Sequence, residues 1–199
     1  MSMPIRIAIF ASGQGTNALK LLETATTLKQ TQIPLVVVDR ADSPLPEKIK
    51  ARFSQVKVAL IPFADSKEKH EQMILSELKA HEIDWCFLAG YMRIVGPTLL
   101  EAFSSTDGTT RILNIHPSLL PAYPGKNAYE QAFQANESVS GVTIHFVDSG
   151  IDTGQIVIQQ SFLREDDDTL EDFKQRGQRL EWELYSKVLK KLDQMGVVK

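Results

Sequence analysis

Short apolar runs alternate along most of this chain with segments whose apolar residues recur at three- and four-residue spacing. Residues 5–11 read as a buried strand, followed by a glycine-containing loop over 12–17 and a helix from 18 to about 29. Further strands are expected over 35–38, 57–61 and 84–88, with helices over 44–54 and 66–81 between them. Asp65 or Ser66 suits the N-cap of the 66–81 helix. Ile74 and Leu78 give that helix part of an apolar face, Lys67, Glu68, Lys69 and Glu71 fall outside it, and His70 and His81 read as solvated. A strand over 112–116 stops at Pro117, and a helix over 127–135 follows. The run 141–147 alternates, and only six residues separate it from a strand over 154–158. That link is too short for a crossover helix, so the two strands form an antiparallel hairpin. The last helix opens near Asp168-Thr169-Leu170-Glu171. It carries Lys187, Lys190 and Lys191 near its end, as the macrodipole favours, with an apolar stripe of Phe173, Gly177, Leu180, Leu184, Val188 and Leu192. The pattern predicts one α/β domain: a mostly parallel, twisted sheet flanked by helices, an antiparallel hairpin in its C-terminal part and a long C-terminal helix.

Composition narrows the class. A content of 43% hydrophobic residues supports a substantial core, and a net charge of −3 without a basic cluster argues against nucleic-acid binding. The single cysteine, Cys86, excludes an internal disulfide framework and sits in an apolar run as a core residue. The N-terminal apolar run is too short for a signal segment or a membrane span, so the expected address is the cytoplasm, with no membrane partner.

Candidate chemistry gathers at strand ends. Asn114 and His116 lie two apart on one strand, hence on one face, just before a loop holding Pro117, Pro121, Pro124 and Gly125. Strand, glycine loop and helix at 5–29 form the arrangement that aims backbone N–H groups at an anion: Gly13 and Gly15 allow close approach, and Ser12, Thr16 and Asn17 add side-chain donors. Gly13-x-Gly15-x-x-Ala18 also fits a loose dinucleotide fingerprint, with Asp39 in the position of a ribose-binding acid. In an open α/β sheet all these loops, with the one around Arg93, follow strands toward the edge where ligands bind, and the hairpin loop can bring Asp152 there. Asn114 would donate to an oxyanion, His116 would act as acid or electrostatic stabiliser, and Asp152 would hold the imidazole protonated, raising its pKa. No poised Ser or Cys nucleophile accompanies them, so acyl transfer would be direct.

Four segments carry a resemblance: Ser12-Gly13-Gln14-Gly15-Thr16-Asn17, Leu88-Ala89-Gly90-Tyr91-Met92-Arg93, Asn114-Ile115-His116-Pro117-Ser118-Leu119-Leu120-Pro121, and His145-Phe146-Val147 with Asp152-x-Gly154. In order and spacing the chain resembles the folate-dependent formyltransferases, phosphoribosylglycinamide formyltransferases in particular, over essentially its whole length. The resemblance implies a single Rossmann-like domain over 1–199, with a phosphate-binding half over about 1–100 and a catalytic, folate-binding half over about 85–199. It implies a catalytic trio of Asn114, His116 and Asp152, a substrate phosphate held by Gly13, Gln14, Gly15, Thr16 and Asn17, and a ribose contact from Glu181. A folate pocket would be lined by Lys67, Met92, Arg93, Ile94, Val95 and Asn114, with Thr143 and His145 in support. The implied partners are small molecules, 10-formyltetrahydrofolate as formyl donor and glycinamide ribonucleotide as acceptor, with no metal and with a monomer or weak homodimer as the expected state. Hydrolysis of the same donor, or a nucleotide-binding or sensing domain built on the glycine loop alone, are the alternatives. Two places depart from the family: Lys126-Asn127-Ala128-Tyr129, where some members carry histidines, and Asp39-Arg40, where others have a small polar pair.

Overall fold

The computed structural model describes residues 4–63 and 65–196. In chain order the elements are β1 (Ile5–Ala11), α1 (Thr16–Ala25), β2 (Thr31–Val38), α2 (Leu45–Arg52), β3 (Lys57–Leu60), α3 (Lys67–Ala80), β4 (Trp85–Leu88), α4 (Pro97–Ala102), β5 (Ile112–His116), α5 (Ala128–Gln134), β6 (Val139–Phe146), β7 (Ile156–Leu163) and α6 (Leu170–Met195). One seven-stranded sheet has the order β3-β2-β1-β4-β5-β6-β7. β1 to β5 pair in parallel, whereas β6 is antiparallel to β5 and β7 to β6. Both faces of the parallel part are covered, which is why its strands are continuous apolar runs. Ile7 and Ile9 of β1 join one core with Val36, Leu113 and α6 residues Leu184 and Leu189; Ala8 and Phe10 join the other with Val37, Cys86 and α3 residues Ile74 and Leu78.

Several boundaries differ from the sequence reading, each for a local reason. α1 begins at Thr16 because Gly15 adopts the left-handed conformation (φ 69°) at its N-cap. It ends at Ala25 because the hydroxyls of Thr24, Thr26 and Thr27 bond back to the carbonyls of Lys20, Glu23 and Thr24. β2 starts at Thr31 despite Pro34, since the register with β1 breaks between Arg6 and Ala8 and skips the proline. β7 begins two residues later than expected and runs on to Leu163, because Gln159 finds acceptors in the Leu120 carbonyl (3.0 Å) and the Thr143 hydroxyl (2.8 Å).

Two side chains of α3 are not where the pattern put them. His70 is buried, its Nδ1 3.2 Å from the Pro62 carbonyl and its Nε2 3.2 Å from the Tyr91 hydroxyl. Glu71 is buried as well and accepts the backbone N–H of Gly96. Polar partners contributed by the loops before and after α3 convert an outer helix face into an inner one. Ser66 caps α3 by accepting from the Lys69 N–H, and Thr169 caps α6 in a reciprocal box with Asp172.

Candidate active site

β1 is the strand from which the chain goes out to β2 and β3 on one side and later to β4 and β5 on the other. Loops leaving β1 and β4 therefore diverge over a crevice. They are stitched together there: the Ser12 N–H donates to the Gly90 carbonyl (3.1 Å), and the Met92 N–H donates to the Ser12 hydroxyl (2.9 Å).

Beside this crevice, β5 presents Asn114 and His116 opposite His145 and Thr143 of β6. The register thus places four polar side chains on one face. Asp152, in the left-handed conformation (φ 55°) in the β6–β7 connection, turns its carboxylate onto them. Its Oδ1 lies 3.2 Å from Asn114 Nδ2 and 3.4 Å from His145 Nε2. Its Oδ2 lies 3.2 Å from His116 Nδ1 and accepts the Gly125 N–H at 2.7 Å. The second nitrogen of His116, Nε2, is 2.8 Å from the Tyr123 carbonyl, which can only accept, so this nitrogen carries a proton. His145 Nδ1 makes the equivalent bond to the Phe146 carbonyl at 2.8 Å. The Tyr123 carbonyl of the proline loop and the Phe146 carbonyl at the end of β6 thereby fix the two rings in tautomer and orientation.

Thr143 anchors the proline loop from below, donating to the Ser118 carbonyl (2.7 Å) and accepting the Leu120 N–H (3.2 Å). The Leu120–Pro121 bond is cis, and Tyr123 and Gly125 take positive φ. These turns bring the Tyr123 carbonyl and the Gly125 N–H back toward His116 and Asp152.

Burial is the largest influence on His116 and pulls its pKa below the ordinary histidine value. The bond to Tyr123 and the charge of Asp152 pull upward without overcoming it, and a charge on His145 adds to the fall. The expectation of a net upward shift is therefore corrected: the carboxylate acts in the expected direction, but desolvation is stronger. For Asp152, burial by itself would raise the carboxyl; hydrogen bonds from His145 and the Gly125 N–H, with the charges of both histidines, outweigh it and hold the group below the usual carboxylate range.

The glycine loop is a separate platform. A Cβ on Gly13 would meet nothing within 4 Å, so that stretch faces open space. Ser43 donates to the Gly13 carbonyl (2.8 Å), while Lys48 donates to the Gln14 carbonyl (3.2 Å) and its side-chain oxygen (2.9 Å). Among the described residues no side-chain cap bond closes the N-terminus of α1, which leaves its first-turn N–H groups as donors for a ligand near the Lys48 cation. Thr16 Oγ accepts from Gln178 at 3.1 Å. Asn17 is buried and donates through Nδ2 to Glu181 Oε2 at 2.5 Å. Glu181, read above as a ribose contact, is also buried, and its Oε1 accepts the Tyr129 hydroxyl at 2.6 Å. Burial raises the Glu181 carboxyl pKa despite these two donors. Burial and the adjacent Glu181 charge push the Tyr129 hydroxyl up too, which keeps it a donor.

The residues read as a folate pocket divide. Met92 and Ile94 are exposed, whereas Val95 is buried in the core. Arg93 is not free: its Nε lies 2.5 Å from Asp39 Oδ2, and its guanidinium stands over the Phe63 ring at 4.7 Å. Asp39, weighed above as a ribose-binding acid, is thus the buried anchor of Arg93. The Lys67 side chain lies against Gly96, next to the Arg93 loop. Lys48, Gln159, Tyr129 and the Tyr123 carbonyl escaped the sequence reading. Tyr129 left a trace only as part of a departure from the family pattern, and Gln159 as a polar residue just beyond an expected strand.

An open α/β sheet with an Asn–His–Asp cluster at its carboxyl edge defines the class of enzyme, and the chain belongs to the formyl transferase family, whose model matches residues 5–189. The phosphoribosylglycinamide formyltransferase of Bacillus subtilis is 40% identical over 192 residues, covering 94% of each chain. The crystal structure of phosphoribosylglycinamide formyltransferase from Bacillus halodurans superposes with a TM-score of 0.86 at 43% identity, covering 94% of each chain. That of the Streptococcus pneumoniae enzyme gives 0.83 at 39% identity, covering 96% of this chain and 98% of the other.

Proposed function

We propose that this chain transfers the formyl group of 10-formyltetrahydrofolate to the amine of glycinamide ribonucleotide, giving formylglycinamide ribonucleotide and tetrahydrofolate in purine synthesis. The names of the similar enzymes support the acceptor. The observation that carries the chemistry is the convergence of Asn114 Nδ2 and His116 Nδ1 on the two oxygens of Asp152, each at 3.2 Å. Asn114 Nδ2 donates outright, and His116 Nδ1 donates in the protonated ring, since Nε2 already holds the proton of the neutral form. At 3.2 Å both contacts to the carboxylate are weak, and a developing oxyanion competes well for the same groups.

The acceptor amine attacks as the free base. A C–N bond forms to the formyl carbon, and the carbonyl oxygen becomes the oxyanion of a tetrahedral intermediate. Asn114 and the protonated form of His116 stabilise it. The bond to N10 of the folate then breaks, N10 takes up a proton, and the former amine loses one. Asp152 holds both donors and supports the imidazolium while the proton passes, and His145 and Thr143 keep the strand and proline loop in place around it. The phosphate rests on residues 13–17 at the N-terminus of α1, and the ribose lies toward Glu181. The folate lies by Met92, Arg93, Ile94 and the backbone at Val95, with Lys67 beside it. Arg93 contacts the carboxylate-bearing part of the folate through the guanidinium edge that Asp39 leaves open.

The deciding experiment follows donor consumption with and without glycinamide ribonucleotide. Loss of donor that requires the ribonucleotide is the expected result. Formate release at the same rate without it would overturn transfer in favour of hydrolysis, and tight dinucleotide binding without formyl chemistry would overturn both.

A further inference from the structure

Gly177, Glu181 and Phe173 lie on one face of α6 at four-residue spacing. The Tyr129 ring, delivered by α5, runs along this face. It meets Phe173 edge-on (centroids 6.1 Å apart, interplanar angle 88°) and crosses the backbone at Gly177. A Cβ on Gly177 would lie 2.3 Å from the Tyr129 hydroxyl and 2.4 Å from two ring carbons. The missing side chain at 177 is therefore the slot through which the phenol reaches Glu181, one turn further on. Tyr129 belongs to the segment that departs from the family pattern.

The other end of the contact is equally constrained. Glu181 Oε2 takes the Asn17 amide, and Asn17 Oδ1 is buried without a hydrogen-bond partner among the described residues. Glu181 and Asn17 together offer a carboxylate and an amide carbonyl beside the donor-rich first turn of α1. A ligand matching both has hydroxyls to give to the acceptors and a phosphate to take from the N–H groups, as a ribose 5-phosphate does.

We infer that Tyr129, seated in the Gly177 slot, is a positioning residue that fixes the Glu181 carboxylate for the ribose hydroxyls of the acceptor. This rests on the acceptor assignment above. The tyrosine touches no reacting atom. Its hydroxyl holds one oxygen while Asn17 holds the other, so the carboxylate does not pay rotamer entropy when the sugar arrives.

The test compares wild-type protein, Tyr129→Phe, Glu181→Gln and the double variant by calorimetric titration with ribose 5-phosphate and, separately, inorganic phosphate. Phenylalanine keeps the ring packing and deletes only the donor. Tyr129→Phe is expected to weaken ribose 5-phosphate roughly tenfold and leave inorganic phosphate unchanged, the size appropriate to a hydrogen bond on a charged group. In the Glu181→Gln background the same change should have less than a twofold effect. In turnover, the acceptor KM should rise while the donor KM and kcat hold. Equal affinity of Tyr129→Phe and wild type for ribose 5-phosphate would overturn the inference, as would a wild-type protein that binds it no better than phosphate. An undiminished loss in the Glu181→Gln background would overturn it too, since Tyr129 would then act by packing alone. Because these titrations need no formyl donor, their outcome is separate from whether the chain transfers a formyl group.

Discussion

Leu45 fills the space that a Cβ on Gly15 would need, its nearest side-chain atom lying 2.4 Å from that position. Gly13, two residues earlier in the same loop, has nothing within 4 Å of its own. Two glycines that look alike in sequence have different duties: Gly15 lets α2 pack under the loop, and Gly13 leaves room above it. Gly13→Val should therefore raise the acceptor KM by at least tenfold at nearly unchanged melting temperature and donor KM. Gly15→Val should cost about 2–4 kcal/mol of stability, from positive-φ strain plus overpacking against Leu45. Thermal melts with steady-state kinetics on both variants check this, and a Gly13 variant that loses both substrates equally would remove the phosphate role.

Arg93 forms an ion pair with Asp39, and its guanidinium stands over the Phe63 ring. Lysine can keep the charge but neither the planar group facing Asp39 nor the stacking. Arg93→Lys should raise the donor KM more than the acceptor KM, and it should also lower stability by about 1–3 kcal/mol, because an ammonium replaces the planar group packed between the buried Asp39 carboxylate and the Phe63 ring. Unchanged KM values with the stability loss alone would leave Arg93 a purely structural residue.

Asp152 joins three elements through one carboxylate, so its replacement should act on chemistry more than on binding. Asp152→Asn should reduce kcat by roughly two to four decades, the range for losing acid–base support. Removing the negative charge deletes one of the influences that raise the His116 pKa while burial continues to lower it. The limb of the pH–rate profile governed by the His116 proton should accordingly move to lower pH in the variant. The limb set by the acceptor amine should stay where it is. A variant with near-normal kcat and an unmoved profile would return Asp152 to the status of a turn residue.

Glu181 gives a prediction about stability. Its folded pKa is raised by burial, so the native state holds that proton more tightly than the unfolded chain. The associated stability is complete below the ordinary carboxylate range and is lost as pH rises through the raised folded value. Glu181→Gln has no such proton to bind or release. The melting temperature of wild type relative to Glu181→Gln should fall as pH rises across that window. A difference independent of pH would contradict the sign.

The sequence patterns that spoke clearly were those whose partners lie nearby in the chain. The continuous apolar strands, the Asn114/His116 alternation, the short β6–β7 connection and the α6 stripe were all legible. What stayed hidden depends on elements far apart. His70 and Glu71 were read as outward because nothing in α3 announces Tyr91 or Gly96. Arg93 and Asp39 meet only because β2 and β4 flank β1. The Tyr123 carbonyl and Gly125 N–H are backbone groups, and no residue type signals that a particular peptide unit will face a histidine. The direction of the His116 shift was misjudged for a related reason: a neighbouring carboxylate can be read from sequence, but the depth of burial cannot.

Asn114 and His116 sit on β5, with β4 on one side and β6 on the other. Backbone amides in such an interior strand exchange with solvent chiefly when the whole domain opens. Asp152 reaches them from a connection outside the regular strands, held through the Gly125 N–H. Hydrogen exchange should thus divide the trio, with slow protection at two members and much earlier exchange at Gly125. Gentle destabilisation should detach the carboxylate first, silencing the enzyme while its sheet, and the donors built into it, remain intact.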